Sequence, residues 1–277
     1  MEENIIKAAE AVKDADAILI TAGAGMGVDS GLPDFRGKEG FWKAYPPIAR
    51  LGISFTDMAN PQWFHTNPQI AWAFYGHRLN LYRKTVPHAG FSQLLEIGKS
   101  KSLGYFVFTS NVDGQFQKAG FDDDLIEECH GSIHHLQCIS PCTYHIWDAA
   151  DTEIIVDMET FEARHPLPKC INCNAVARPN ILMFGDWNWI QDRSSAQGER
   201  LYRWLNDIRK NSGRLVIIEI GAGTMVATVR YQSEGIAAKM NGTLIRINPR
   251  DYHVPHGHIS IPFVAAEGIA GICDSIV

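Results

Sequence analysis

Four short runs of nearly continuous apolar residues leave this chain few folds to choose from. They are Ala17-Ile18-Leu19-Ile20, Tyr105-Phe106-Val107-Phe108-Thr109, Leu215-Val216-Ile217-Ile218-Glu219-Ile220 and Thr243-Leu244-Ile245-Arg246-Ile247. A strand with one wet face alternates apolar and polar residues, whereas strands that do not alternate are covered on both faces, as in parallel sheets. Helical spacing lies around these runs: Ile5, Ile6, Ala9 and Val12 fall three or four apart, and Phe91 to Lys99 and Val229 to Lys239 are helix-like. The pattern predicts an α/β fold, a parallel sheet covered by helices.

At 277 residues the chain exceeds the usual core of roughly 100–200 residues, so one large domain, or one with a small module, is expected. Two regions interrupt the strand and helix rhythm of a single domain over 1–277. Residues 38–87, rich in aromatics and prolines, read as a helical insertion with a helix from Gln69 to Tyr82. Residues 137–176 carry two cysteine pairs around a β-like stretch, Glu153-Ile154-Ile155-Val156. With 45% hydrophobic residues, wholesale disorder is excluded. A net charge of −6, from 25 Lys+Arg against 31 Asp+Glu, argues against nucleic acid or an anionic membrane as the primary ligand. No apolar run approaches the roughly 18–20 residues that span a bilayer, and Met1-Glu2-Glu3-Asn4 lacks the basic start of a secretory signal, so a cytoplasmic protein is expected.

The cysteines are placed for metal before disulfides. Cys138-x3-Cys142 and Cys170-x2-Cys173 offer four thiolates for a tetrahedral zinc ion, with disulfides or free thiols as the alternatives. His145 and His165 lie between the pairs as substitute ligands. Cys129 reads as a small buried residue rather than a nucleophile, and Cys273 has no role that the sequence assigns.

Directly after the first apolar run stands Thr21-Ala22-Gly23-Ala24-Gly25-Met26-Gly27, where glycines let the backbone approach a phosphate. Val28 occupies the third glycine position of the usual dinucleotide fingerprint, so this segment alone does not separate a nucleotide loop from a tight turn. The motifs downstream are more specific. Ser30-Gly31-Leu32-Pro33-Asp34-Phe35-Arg36, Thr109-Ser110-Asn111-Val112-Asp113-Gly114, His130-Gly131, Phe184-Gly185-Asp186, Gly221-Ala222-Gly223-Thr224 and Ile247-Asn248 occur in the order of the sirtuin motifs, and the chain resembles that family from about residue 21 to 248.

The resemblance implies a Rossmann-like sheet with a smaller helical and zinc-binding module, in which the zinc is structural. It implies an NAD-dependent protein-lysine deacylase that acts on an acyl-lysine protein or peptide and yields nicotinamide and O-acyl-ADP-ribose. His130 would be the base that takes a proton from a ribose hydroxyl. An isolated His is more often structural, but an imidazole is also the side chain suited to base work at neutral pH. Asn111 and Asp113 would hold the ribose and carboxamide end of NAD, with Gly23, Ala24, Gly25, Met26, Asp34, Phe35 and Arg36 around it. Ser110, Gly221, Ala222, Gly223 and Asn248 complete the expected cofactor set, and Phe184 and Gly185 the peptide side. Three positions depart from the family pattern: Gly27 stands where it has Ser, Ser110 where it has Gln, and Asp186 where it has Glu. They keep two alternatives open, ADP-ribose transfer or NAD hydrolysis, and a non-catalytic NAD-binding module.

Tyr75 and Arg78, three apart in Trp72-Ala73-Phe74-Tyr75-Gly76-His77-Arg78, share one face of a helix. They are similar to the Tyr-x-x-Arg pair of sirtuins that remove succinyl and malonyl groups, where the guanidinium donates to the acyl carboxylate. The plainer reading is an arginine whose stem covers a helix end beside a core tyrosine. His253, His256 and His258 read as solvated loop residues, and Trp187 and Trp189 as either cleft or packing residues.

Overall fold

The computed structural model describes residues 2–33, 41–43, 45–50 and 52–276. Along the chain its strands are β1 (Ala17–Ala22), β2 (Tyr105–Thr109), β3 (Ile126–Glu128), β4 (Gly131–Cys138), β5 (Trp147–Asp148), β6 (Val156–Asp157), β7 (Glu162–Ala163), β8 (Ala177–Ile181), β9 (Leu215–Ile220), β10 (Thr243–Ile247) and β11 (Ile259–Ile261). The longer helices are α1 (Glu2–Asp14), α2 (Pro68–Lys84), α3 (Ala89–Lys99), α4 (Asp192–Lys210), α5 (Thr228–Met240) and α6 (Ala265–Ser275).

The four apolar runs become β1, β2, β9 and β10, which with the two edge strands form a six-stranded sheet, β11-β10-β9-β1-β2-β3, parallel throughout. Each of these four strands feeds both faces. Ile18 and Ile20 of β1 join a core with Ile5, Phe91 and Ile269, so α1, α3 and α6 cover that side. Ala17 and Leu19 point the other way, to Leu201 and Ile208 of α4 and Val229 and Ile236 of α5. The polar residues among these runs are paired across strands: Arg246 stands opposite Glu219, with Nε to Oε1 at 2.5 Å and Nη2 to Oε2 at 2.9 Å, and reaches Glu234 at 2.7 Å.

A second core forms away from this sheet, because the two interrupting regions pack on each other. Phe41, Trp72, Phe74 and Tyr75 from the first meet Ile133, Leu136, Ile154, Phe161 and Ile181. The small three-stranded sheet, β5-β4-β8, is antiparallel and extends beyond 137–176, from Gly131 to Ile181. The expected strand over 153–156 shrinks to β6, which pairs with β7. Its two isoleucines part: Ile154 gives its carbonyl to Asn80 at 2.8 Å and fills the notch at Gly76 of α2, while Ile155 is exposed. Among the described residues no helix is long and apolar enough to cross a membrane.

Candidate active site and candidate metal centre

The ends of four parallel strands set the floor of the site. Ala22 is in register with Thr109 on one side and Ile220 on the other, and Ile220 with Ile247. The next residues, Gly23, Ser110, Gly221 and Asn248, therefore leave the sheet in one row. Strand order turns at β1, since the chain runs outward to β2 on one side and returns at β9 on the other. In open α/β sheets the crevice beyond such a switch point is where ligands bind.

The loops along this row are tied to one another. Gly23 N–H donates to Ile220, Gly25 N–H to Gly221, Met26 N–H to Gly23 and Gly221 N–H to Ile247, each at 3.0 Å. The amides of Gly23, Gly25 and Met26 thus serve the protein rather than facing an anion, because Ala24–Ser30 winds into a short 3₁₀ helix. The Met26 side chain is fully buried in the first core, so what it offers the crevice is main chain. Asn111 Nδ2 donates to Gly23 at 3.0 Å, and its own N–H is held by Thr109 Oγ1 at 3.0 Å. Asn248 is buried and committed: Nδ2 donates to Ala222 at 2.8 Å, while Oδ1 accepts from the N–H groups of Arg250 and Asp251 at 3.0 Å. Asp34, Phe35 and Arg36 lie outside the described residues.

Asp113 sits at the end of the Asn111 segment with its carboxyl buried; Oδ1 accepts from Gln115 N–H at 3.0 Å. Burial pushes its pKa up to about 6, against the pull of that N–H. His130 lies between β3 and β4, at the seam of the two sheets. Cys129 N–H donates to Thr109 and Leu182 N–H to the His130 carbonyl, both at 2.9 Å. Gly131 comes next, with φ of 78°, and a Cβ there would stand 2.1 Å from the Asn180 carbonyl, so glycine is required for the strand to start. Burial lowers the His130 pKa, which leaves a neutral ring able to accept a proton. The Cys129 thiol is pushed upward by burial, in keeping with a thiol that is not a nucleophile.

Two residues beyond Leu182, Phe184 donates its N–H to Ala59 at 2.9 Å and sets its half-exposed ring edge-on to Phe55. Asp186 turns away from the surface. Its side chain is completely buried and forked by Arg178, with Nη1 to Oδ1 at 3.0 Å and Nη2 to Oδ2 at 2.5 Å. The shorter acid in place of Glu therefore belongs to the small sheet, and the sequence does not flag Arg178 as its partner. Tyr75 and Arg78 do come together: the Arg78 guanidinium carbon stands 5.8 Å from the Tyr75 ring centre, with Phe74 and Tyr82 at 5.2 and 5.5 Å. Arg78 is 7% exposed and donates from Nε to the Tyr82 hydroxyl at 3.0 Å, so it is a buried cation rather than a stem laid over a helix end.

The two cysteine pairs meet at the tip of the small sheet, all four sulfurs within 4.8 Å of one another. Cys138 and Cys173 are 3.7 Å apart and Cys142 and Cys170 3.6 Å. Sulfurs 2.3 Å from a tetrahedral zinc ion lie about 3.8 Å apart, so the donor set fits that ion. Burial opposes ionisation of Cys170, yet the N–H groups of Cys173 and Asn172 bring its pKa down to about 7.

Residues 23–200 match the model of the Sir2 family. The chain is 28% identical over 246 residues to an NAD-dependent protein deacylase of Pyrococcus abyssi, covering 88% of this chain and 86% of that one. It is 34% identical over 187 residues to one of Leptospira interrogans, covering 67% and 66%. Its fold is that of a Sir2 homologue solved in complex with NAD, with a TM-score of 0.71 at 24% identity over 98% of this chain and 93% of the other. From the motif order, the fold and the family match together, the chain belongs to the Sir2 family.

Proposed function

We propose that the protein is an NAD-dependent protein-lysine deacylase centred on His130. The observation that carries this reading is the place of that imidazole: burial holds it neutral at the seam where the large sheet, through Cys129, meets the small one, through Leu182. The relatives bear the name of this activity, and the solved neighbour binds NAD. NAD would supply an electrophilic ribose carbon that accepts the acyl oxygen as nicotinamide leaves. His130 takes the proton of a ribose hydroxyl, Asn111 and Asp113 hold the nicotinamide end, and Asp34, Phe35 and Arg36 join them on the strength of the sequence. Phe184 and Gly185 border the acyl-lysine peptide, and Cys138, Cys142, Cys170 and Cys173 hold a structural zinc. The setting is the cytoplasm, where thiols stay reduced.

His130→Ala should lower nicotinamide release and peptide deacylation about 10²–10⁴-fold with zinc content unchanged. No turnover by the wild type on acetyl-, malonyl- and succinyl-lysine peptides would sink the proposal. ADP-ribose appearing on protein, or free without an acyl substrate, would replace it with the transferase or hydrolase reading, and NAD binding without turnover with the binding module.

The acyl group is the finer part of the reading. A buried arginine beside Tyr75 supports an acid-terminated acyl chain, succinyl or malonyl, met by the guanidinium. Arg78→Met should cost about tenfold or more on succinyl-lysine and much less on acetyl-lysine; equal losses would remove the assignment.

A further inference from the structure

β4 does not run evenly beside β8. Ser132 pairs with Asn180 and Leu136 with Pro179, so Ile133, His134 and His135 face no partner in β8. A bulge takes residues out of the ladder and re-aims their groups, often next to an active site. Here two of those groups turn to the segment that carries Asp113. Ile133 N–H donates to the Val112 carbonyl at 3.0 Å, and His134 Nε2 lies 3.0 Å from the Asp113 carbonyl.

A carbonyl oxygen only accepts, so the His134 proton is on Nε2. Its pKa is lowered by burial, which keeps that single-proton form. The ring also rests on Gly114, in the left-handed region at φ of 68°, where a Cβ would lie 2.7 Å from Cδ2. His134 is itself held by the small sheet, since Ser132 Oγ accepts its N–H at 3.3 Å and Ala149 N–H donates to its carbonyl at 2.9 Å. A cavity of about 610 Å³ borders Asp113, Gly114, Ser132 and His134. Val112 packs with Ile133 in the second core, and on the cavity side the two hydrogen bonds from the bulge hold the segment.

We propose that His134 is a positioning residue, which fixes the Asp113 main chain from the zinc-bearing sheet and so sets where the Asp113 carboxyl stands. The inference rests on the deacylase reading for what that carboxyl then holds. Two variants separate the donor from the ring: His134→Phe keeps a ring over Gly114 and loses the N–H, and His134→Gln keeps an N–H at a similar reach. Amide hydrogen exchange over 112–116 without NAD, and KM for NAD and for an acyl peptide, are measured on the full chain. The Phe variant should exchange about tenfold faster and raise KM for NAD about tenfold while the peptide KM moves less than about twofold, and the Gln variant should stay within about threefold of wild type. Wild-type exchange in the Phe variant, an unmoved NAD KM, or a Gln variant as impaired as Phe would overturn the proposal. A wild type that does not turn over NAD would sink the deacylase reading instead, and the exchange comparison would still decide whether His134 fixes Asp113.

Discussion

The two sheets are held together by different physics. In β1 every residue is buried, and the residues are Ala, Ile, Leu, Ile, Thr and Ala, so the sheet is stabilised mainly by removing apolar surface from water on both faces. In β8 every residue is buried as well, yet they are Ala177, Arg178, Pro179, Asn180 and Ile181. That strand persists because directed bonds meet it: Arg178 on Asp186, Asn180 Nδ2 on Gln137 Oε1 at 2.9 Å and on the Ile190 carbonyl at 2.8 Å, and Trp72 Nε1 on the Ala177 carbonyl at 2.9 Å. Area burial is forgiving because it is non-directional, whereas a buried polar network fails when one partner is lost. The difference teaches that the small sheet should be the brittle half, and His130 sits where the two halves join.

The sharpest way to break that comparison is to remove a thiolate. Structural zinc sites bind with apparent free energies of about 10 kcal/mol or more, and that energy is folding energy. Cys170→Ser should lose stoichiometric zinc and open 131–181 to proteolysis, while amides of β1, β2, β9 and β10 keep slow exchange. Uniform unfolding of both sheets would show that they are one cooperative unit. Next in size is Asp186→Ala, which strands a buried guanidinium and should cost about 3–5 kcal/mol in chemical denaturation. The pair Arg178→Met with Asp186→Leu should recover most of that loss, and a double variant as unstable as the single one would refute the charge argument.

The same contrast explains which elements the sequence reveals. β2, β9 and β10 begin and end as their apolar runs do, because burial on both faces is written in composition. β8 is illegible, since Arg-Pro-Asn reads as loop and the partners that make it a strand, Gln137 and Asp186, are 43 and 8 positions from the residues they hold. α4 is hidden despite Leu201, Trp204, Leu205 and Ile208 at helical spacing, because charged residues dominate the remainder. In the site, the motifs find His130, Asn111 and Asp113, but nothing local announces that Asn248 is tied into its own loop. The bulge that aims His134 is equally silent, because register belongs to the pairing of two strands and not to either alone.

Asp113, between the two halves, adds a pH test of intermediate size. Its carboxyl is raised from 3.8 to about 6 by burial, so the folded state binds the proton more tightly than the unfolded chain does. Its contribution therefore falls as pH rises from about 4 to about 6 and is constant above. Asp113→Asn, which keeps an acceptor for Gln115, should gain on the order of 2–3 kcal/mol relative to wild type between pH 4 and pH 7, by denaturation at each pH. A constant difference would mean that the carboxyl is solvated.

The smallest effect belongs to the forgiving sheet. Ile218→Val removes one methylene from a fully buried strand position and should cost about 1 kcal/mol. That cost should be the same with zinc present or chelated, because Ile218 packs in the first core, which holds none of the four cysteines among the described residues. If chelation instead doubled the cost of the Val variant, stability would be passing between the sheets through the His130 seam, and the two halves would have to be treated as one network.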